Sequence, residues 1–337
     1  MFKIIFVIIG TLIGAGFASG REIYLFFVQY GNYGKFGIIL TGIITGIIIY
    51  RVLIVTKTYE INNYNKLLER INWKYSKINK LINLVVNSFL LISFYIMIAG
   101  FSAYIEQTYR VPIYISSIFF VVICYIIFKK SIQGVIKANE VLVPILVILI
   151  AYLGIKNMPY MFKANEPTII GNSSNSWIIG SILYASYNSI ILIPVLTNLR
   201  SYIDNTKQII KISVISSIII VILALFIYGL LLRGEFFVSE LEMPLIEITI
   251  QFGKIFKYIY GFVIIASIFT SAVSTGYSLL QNVTKTKKGY EIVLLIMCIT
   301  GIAVSNIGFS NLVEMLYPLF GVLGLIQILL ILKKPLY

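Results

Sequence analysis

The residues with chemical potential in this chain sit in an unlikely place. Gly14-Ala15-Gly16-Phe17-Ala18-Ser19-Gly20 is followed directly by Arg21 and Glu22, and apolar runs flank the stretch on both sides. A charged pair at membrane depth is tolerated only where it faces protein or water. Glycine carries a large backbone entropy cost, so three glycines so close together weaken a helix. A spanning helix broken here would expose N–H and C=O groups to a solute. Two other readings stay open. The segment can run as one straight helix, with Gly10, Gly14 and Ala18 as a packing stripe. It can also be a signal peptide, with Lys3 in its basic region and cleavage near Ala18, although no polar mature domain follows.

A second interrupted stretch lies halfway along the chain, Gly180-Ser181-Ile182-Leu183-Tyr184-Ala185-Ser186-Tyr187-Asn188-Ser189, before an apolar run to Pro194. Paired interruptions at corresponding positions in two halves point to a transporter site. A third set is Ser267, Thr270, Ser271, Ser274, Thr275 and Ser278. Spacings of three and four put many of these hydroxyls on one helical face, as oxygen ligands for a hard cation or as a stripe of small packing residues. Four acids touch the apolar zone: Glu22, Glu140, Glu291 and Glu314. Glu140 follows Lys137 at ion-pair spacing, and Glu291 opens a span.

The elements that must position these residues are membrane helices. Of 337 residues, 59% are hydrophobic and 12% charged, and the mean hydropathy is +0.95. The apolar runs are long and lack strand alternation, so the fold class is an all-α polytopic membrane protein. Ten spans are expected, at about 2–29, 35–56, 81–106, 112–128, 134–155, 176–199, 208–232, 258–281, 291–306 and 311–332, with ends uncertain by a few residues. They form one transmembrane domain over 1–337, with five helices in 1–155 and five in 176–332. With the N-terminus in the cytoplasm, most of the 27 basic residues fall inside. Both termini are then cytoplasmic by the positive-inside rule. The same distribution explains the net charge of +14 without a nucleic-acid partner. Histidine is absent, and Cys124 and Cys298 lie within apolar runs, as packing residues do.

Two loops are long. Residues 57–80 place Tyr59, Ile61, Tyr64, Leu67, Leu68, Ile71 and Trp73 among lysines, either as a basic amphipathic helix on the cytoplasmic surface or as a linker. Residues 233–257 carry Glu235, Glu240, Glu242 and Glu247. Within them, Pro244–Phe252 fits a short outer helix, acting as a lid or as a connector.

Gly10-Thr11-Leu12-Ile13-Gly14-Ala15-Gly16-Phe17 resembles the first-helix signature of the amino acid–polyamine–organocation superfamily. The longer string from Gly14 to Ile23 is similar to the YkvI-type bacterial membrane proteins within it. The resemblance implies a five-plus-five inverted repeat with helices one and six interrupted, the fold of sodium-coupled neurotransmitter transporters. By that match the solute site comprises Gly14, Ala15, Gly16, Phe17, Ala18, Ser19 and Glu22 from helix one. There the backbone N–H groups of residues 15–19 would meet a solute carboxylate. Tyr184, Ser186, Tyr187 and Asn188 join them from helix six, unless these polar side chains serve only to bond neighbouring helices. Sodium, the expected coupling ion, would take hydroxyls of Thr270 and Ser271 and carbonyls of Gly10, Ile13 and Ser267. Protons are the alternative; some proton-coupled relatives carry a fifth-helix lysine in place of the sodium, but here Pro144 aligns roughly at that position and Lys137 lies about two turns earlier, which favours sodium. Arg21 and Glu314 would close an outer gate.

The function expected is secondary active transport, by alternating access, of a small zwitterionic solute, an amino acid first. The cell membrane is its setting. No cofactor and no enzyme activity are expected, because no nucleophile–base set, phosphate loop or metal cluster is visible. The rival class is a solute-binding receptor of the same fold, like germinant-receptor subunits, which does not transport. Oligomeric state is not legible.

Overall fold

The computed structural model describes residues 1–61, 64–71, 76–129, 133–161, 176–203, 205–233, 241–284 and 286–333. The described elements are all helical. The first span is in three pieces, α1 (Phe2–Leu12), α2 (Ala15–Ser19) and α3 (Arg21–Phe26), followed by a 3₁₀ stretch at Val28–Tyr33. Then come α4 (Gly34–Thr58), the short α5 (Tyr64–Ile71), α6 (Ser76–Tyr109), α7 (Ile113–Lys129) and α8 (Gln133–Met161). The second part holds α9 (Ser176–Asn198), α10 (Thr206–Arg233), the short α11 (Pro244–Ile250), α12 (Lys254–Val283), α13 (Lys287–Ser305) and α14 (Phe309–Lys333).

Seven of these helices are long and apolar enough to cross a bilayer: α4, α6, α9, α10, α12, α13 and α14. Their outward faces carry isoleucine and phenylalanine, such as Ile39, Ile43, Ile218 and Phe262, which remain exposed. Lipid is the solvent those faces suit. The inner faces pack in contiguous groups, α9 between α4 and α14, α12 against α6 and α8, and α10 against α4 and α8. The broken first span threads between them. Its α1 lies against α8, α9 and α10, its α2 against α11 and α12, and its α3 against α9, α10 and α14. Every residue from Ala15 to Ile23 is buried.

The sequence places interruptions in both helix one and helix six. Helix one is interrupted. Helix six, here α9, is continuous from Ser176 to Asn198, so the expectation of a break near Ser186 is corrected. Its polar side chains return to their own helix. Ser181 donates to Trp177 O (2.6 Å), Ser186 to Ile182 O (2.7 Å), Asn188 to Tyr184 O (3.0 Å) and Ser189 to Ser186 O (2.6 Å). Hydroxyls and amides satisfied in this way do not require the backbone to open.

Both long loops contain a helix. In α5, Leu67 and Leu68 are buried while Lys66, Glu69 and Arg70 stay exposed. The Gln327 amide of α14 donates to the Tyr64 hydroxyl (2.7 Å). Trp73, Glu235 and Glu240 lie outside the described residues, as do the side chains of Lys137 and Glu140. The short helix α11 is packed into the bundle, since Met243, Leu245, Ile246 and Ile248 are all buried. Cys124 and Cys298 are free and buried.

Candidate solute-binding site

The site begins with backbone. After Leu12 the chain leaves helical geometry at Ile13 (φ −90, ψ 80) and Gly14 (φ −89, ψ −172). It re-forms one short turn in α2, closed by an Ala18 N–H to Gly14 O bond of 2.9 Å. It breaks again at Gly20, whose φ of +86 is a conformation side-chain-bearing residues adopt only at a cost. A Cβ on Gly20 would also press on Leu245 of α11 and Leu231 of α10. The Tyr260 hydroxyl of α12 holds the turn from outside by donating to Ala18 O (2.7 Å). The Ser19 hydroxyl donates to Gly16 O (3.1 Å) and receives the Arg21 N–H (3.3 Å).

The second break re-aims the next two residues. Arg21 and Glu22 are adjacent on a helix and therefore diverge by about 100°. Glu22 turns inward and is 3% exposed. Its carboxyl folds back onto α2, where a side chain at Gly16 would collide with it. It accepts the Phe17 backbone N–H, the Tyr184 hydroxyl at 3.3 Å and the Tyr187 hydroxyl. Aromatic rings surround this cluster. Tyr187 is stacked between Tyr317 (4.6 Å between centroids) and Phe26 (5.7 Å). Tyr184 meets Phe26 and Phe27 edge to face, at 5.2 and 5.0 Å. The site is therefore one carboxyl and two phenols in a buried aromatic shell.

Arg21 turns the other way. It pairs with Glu314 of α14, donates to Leu241 O (3.3 Å) just ahead of α11, and lies over the Tyr24 ring (5.4 Å). The segment around α11 is stitched down at further points. Gln107 of α6 receives the Met243 N–H (3.1 Å), and Glu242 receives the Ser310 N–H at the start of α14 (2.5 Å). Lys257 pairs with Glu247 (3.1 Å). The break is thus covered on this side by the α11 segment, which Arg21 itself touches.

Of the residues expected from helix six, Tyr184 and Tyr187 reach Glu22, whereas Ser186 and Asn188 are spent within α9. Several groups around the expected cation set bond within their own helices. Thr270 donates to Ser267 O (3.1 Å), Ser271 O accepts the Thr275 hydroxyl (2.8 Å), Gly10 faces Val143 of α8, and Ile13 N–H bonds to Ile9 O (2.8 Å). Tyr317, Tyr260, Phe26 and Gln107 were not singled out in the sequence. Tyrosines within apolar runs read as core, and only their partners reveal otherwise. An outward-facing apolar groove of about 600 Å³ runs between α4 and α10, lined by Gly42, Gly46, Ser217 and Val221 among others. It holds no charged group and lies apart from this chemistry.

No family model matches the chain. The chain is 25% identical to the uncharacterized membrane protein YkvI of Bacillus subtilis, over 99% of this chain and 96% of that one. It is 24% identical to the uncharacterized protein YyaD of the same organism, with the same coverage. Among solved structures it is similar to a mutant of the manganese transporter of Eremococcus coleocola, with a TM-score of 0.64 at 12% identity over 98% of this chain and 77% of that one. It also resembles the inward-facing conformation of Mhp1, with a TM-score of 0.54 at 10% identity over 96% and 73%. The two structural likenesses show that the chain shares the fold of these proteins.

Proposed function

We propose that the chain is a secondary active transporter that carries a small solute with an ammonium group through the break in helix one by alternating access. The observation that carries this reading is the buried Glu22 carboxyl at that break, facing two tyrosine hydroxyls of α9 and roofed by α11. A transporter rather than an enzyme is what the fold neighbours favour. In this reading the ten expected spans form two inverted halves, 1–155 and 176–332, with both termini cytoplasmic. Arg21 and Glu314 act as the outer gate, parting when the site opens outward. Amino acids, expected from the superfamily resemblance, are the first solutes to test. Sodium at Gly10, Ile13, Ser267, Thr270 and Ser271 is one coupling route, and a proton on Glu22 is the other.

Manganese, the cargo named for one fold neighbour, fits less well. The chain has no histidine, and among the described residues no three acid or cysteine side chains gather. The test is uptake by proteoliposomes with an imposed sodium or proton gradient. Gradient-driven accumulation that Glu22→Gln removes supports the transporter. Saturable binding without flux under either gradient would instead make the chain a receptor.

A further inference from the structure

Two of the N–H groups that a solute carboxylate would use at this break are already engaged, Phe17 N–H by Glu22 and Ala18 N–H by Gly14 O. Glu22 lies on Gly16 and accepts the Phe17 N–H and the Tyr184 and Tyr187 hydroxyls. It is tethered six residues from Gly16 in sequence, so its local concentration far exceeds that of a dissolved competitor. An incoming carboxylate would also place two like charges in one buried site, where repulsion is poorly screened.

Among the described residues, the charge of Glu22 has no counterpart: no lysine or arginine comes within ion-pairing distance of it. The groups facing it from each packed element are neutral: the Phe17 backbone of α2, Tyr184 and Tyr187 of α9, and Tyr317 of α14. From α10, the Tyr228 hydroxyl is committed to Gly31 O (2.6 Å). From α12, the Tyr260 hydroxyl is committed to Ala18 O. On its own helix, Arg21 is turned to Glu314. An isolated carboxylate in such a place is untenable unless a proton or a cation neutralises it. Both tyrosine bonds end on Oε2. Oε1 lies beside Gly16 and meets neither tyrosine hydroxyl.

We propose that Glu22 is an exchange site, where a proton and the ammonium of a carboxylate-free organic amine compete, so that the protein runs as an amine/proton antiporter. The proposal rests on the transporter reading above and narrows its solute. The exchange balances without any further reactant. Protonated Glu22 plus R–NH₃⁺ gives the Glu22 carboxylate bound to R–NH₃⁺, and one H⁺ leaves to the side the site faces. Amine and proton cannot occupy the carboxyl together, so movement of one drives the other in reverse. The aromatic shell of Phe26, Tyr184, Tyr187 and Tyr317 keeps water from serving as a third occupant. It also offers a ring environment compatible with an ammonium.

The test uses the full chain in lipid nanodiscs and matched pairs that differ only by a carboxylate: 2-phenylethylamine with phenylalanine, and isobutylamine with valine. Calorimetry in two buffers of different ionisation enthalpy reads affinity and proton release together. The expected result is that at least one amine binds about tenfold or more tighter than its amino acid and releases about one proton. Glu22→Gln should lose both signals. Glu22→Asp, which keeps the carboxyl but shortens its reach, should bind more weakly and still release a proton, and it answers for the site if the glutamine variant misfolds. Tighter binding of the amino acids, amine binding without proton release, or no binding by either amine overturns the proposal. Vesicle flux separates it from the reading beneath it. Gradient-driven uptake of the amino acids with no amine response removes the antiport and keeps the transporter. Amine binding with proton release but no flux keeps the exchange site and removes the transporter.

Discussion

The first span and α9 share a vocabulary of small and polar residues within apolar runs, yet one is broken twice and the other is continuous. In α9 the interrupting residues are serines and an asparagine, and each donates to a carbonyl three or four residues back. A polar side chain of that kind is content inside a continuous helix. In the first span the corresponding positions are glycines, which have no side chain to offer. Gly20 takes a left-handed conformation, and Gly16 makes room for the Glu22 carboxyl. The freed backbone is then served by other elements, by Tyr260 at Ala18 O and by Glu22 at the Phe17 N–H. Small residues alone do not break a membrane helix. Missing side chains do so when neighbours stand ready to fill the gap.

The sharpest way to break this comparison is to give the first span what α9 has. Gly16→Val puts a branched side chain where the Glu22 carboxyl lies. Uptake should fall on the order of 100-fold, the effect of displacing a key group by about 1 Å, while size-exclusion behaviour stays that of a folded protein. Wild-type uptake in this variant would mean that Glu22 does not work from that position.

Gly20→Ala comes next. The left-handed backbone and the pressure on Leu231 and Leu245 should together destabilise the protein by about 1–3 kcal/mol, read as a lower thermal midpoint in detergent. An unchanged midpoint would show that the second break relaxes freely.

The layout of helices was legible in the apolar runs, because lipid forces each span to satisfy its own backbone. The ten expected segments each fall on a helical stretch, and the Gly14–Gly20 break was readable from glycine alone. The continuity of α9 was not legible. Serine at mid-membrane has two outcomes, and the sequence does not say where its hydroxyl will turn. The site was half legible for the same reason. Glu22 and Arg21 stood out as costly charges, and Arg21 does meet Glu314. The inward fold of Glu22 onto α2 depends on Gly20, and the stacking of Tyr317 on Tyr187 depends on how α14 meets α9, neither of which leaves a local pattern.

Smaller effects sharpen the contrast at the outer side. Arg21→Ala and Glu314→Ala should each reduce uptake, and the double variant should be less impaired than the two effects combined. The coupling should be about 0.5–3 kcal/mol, towards the lower end because Glu314 is 41% exposed. A double-mutant cycle with no coupling would leave Glu314 as an ordinary interfacial acid. The smallest effect belongs to α9. Ser186→Ala and Ser189→Ala remove bonds that only return to their own helix, so each should change stability by no more than about 0.5–1 kcal/mol and leave uptake intact. A large loss of uptake from either would mean that these hydroxyls leave their carbonyls to meet the solute.

The central claim is that solute passes the break in helix one in contact with the Glu22 carboxyl. Counterflow tests it most directly, because vesicles preloaded with solute exchange labelled solute without any imposed ion gradient. The account predicts exchange by the wild type and a loss of at least about tenfold in Glu22→Gln, the equivalent of one charge-assisted contact, with the variant still monodisperse. Equal counterflow by the two proteins would contradict it.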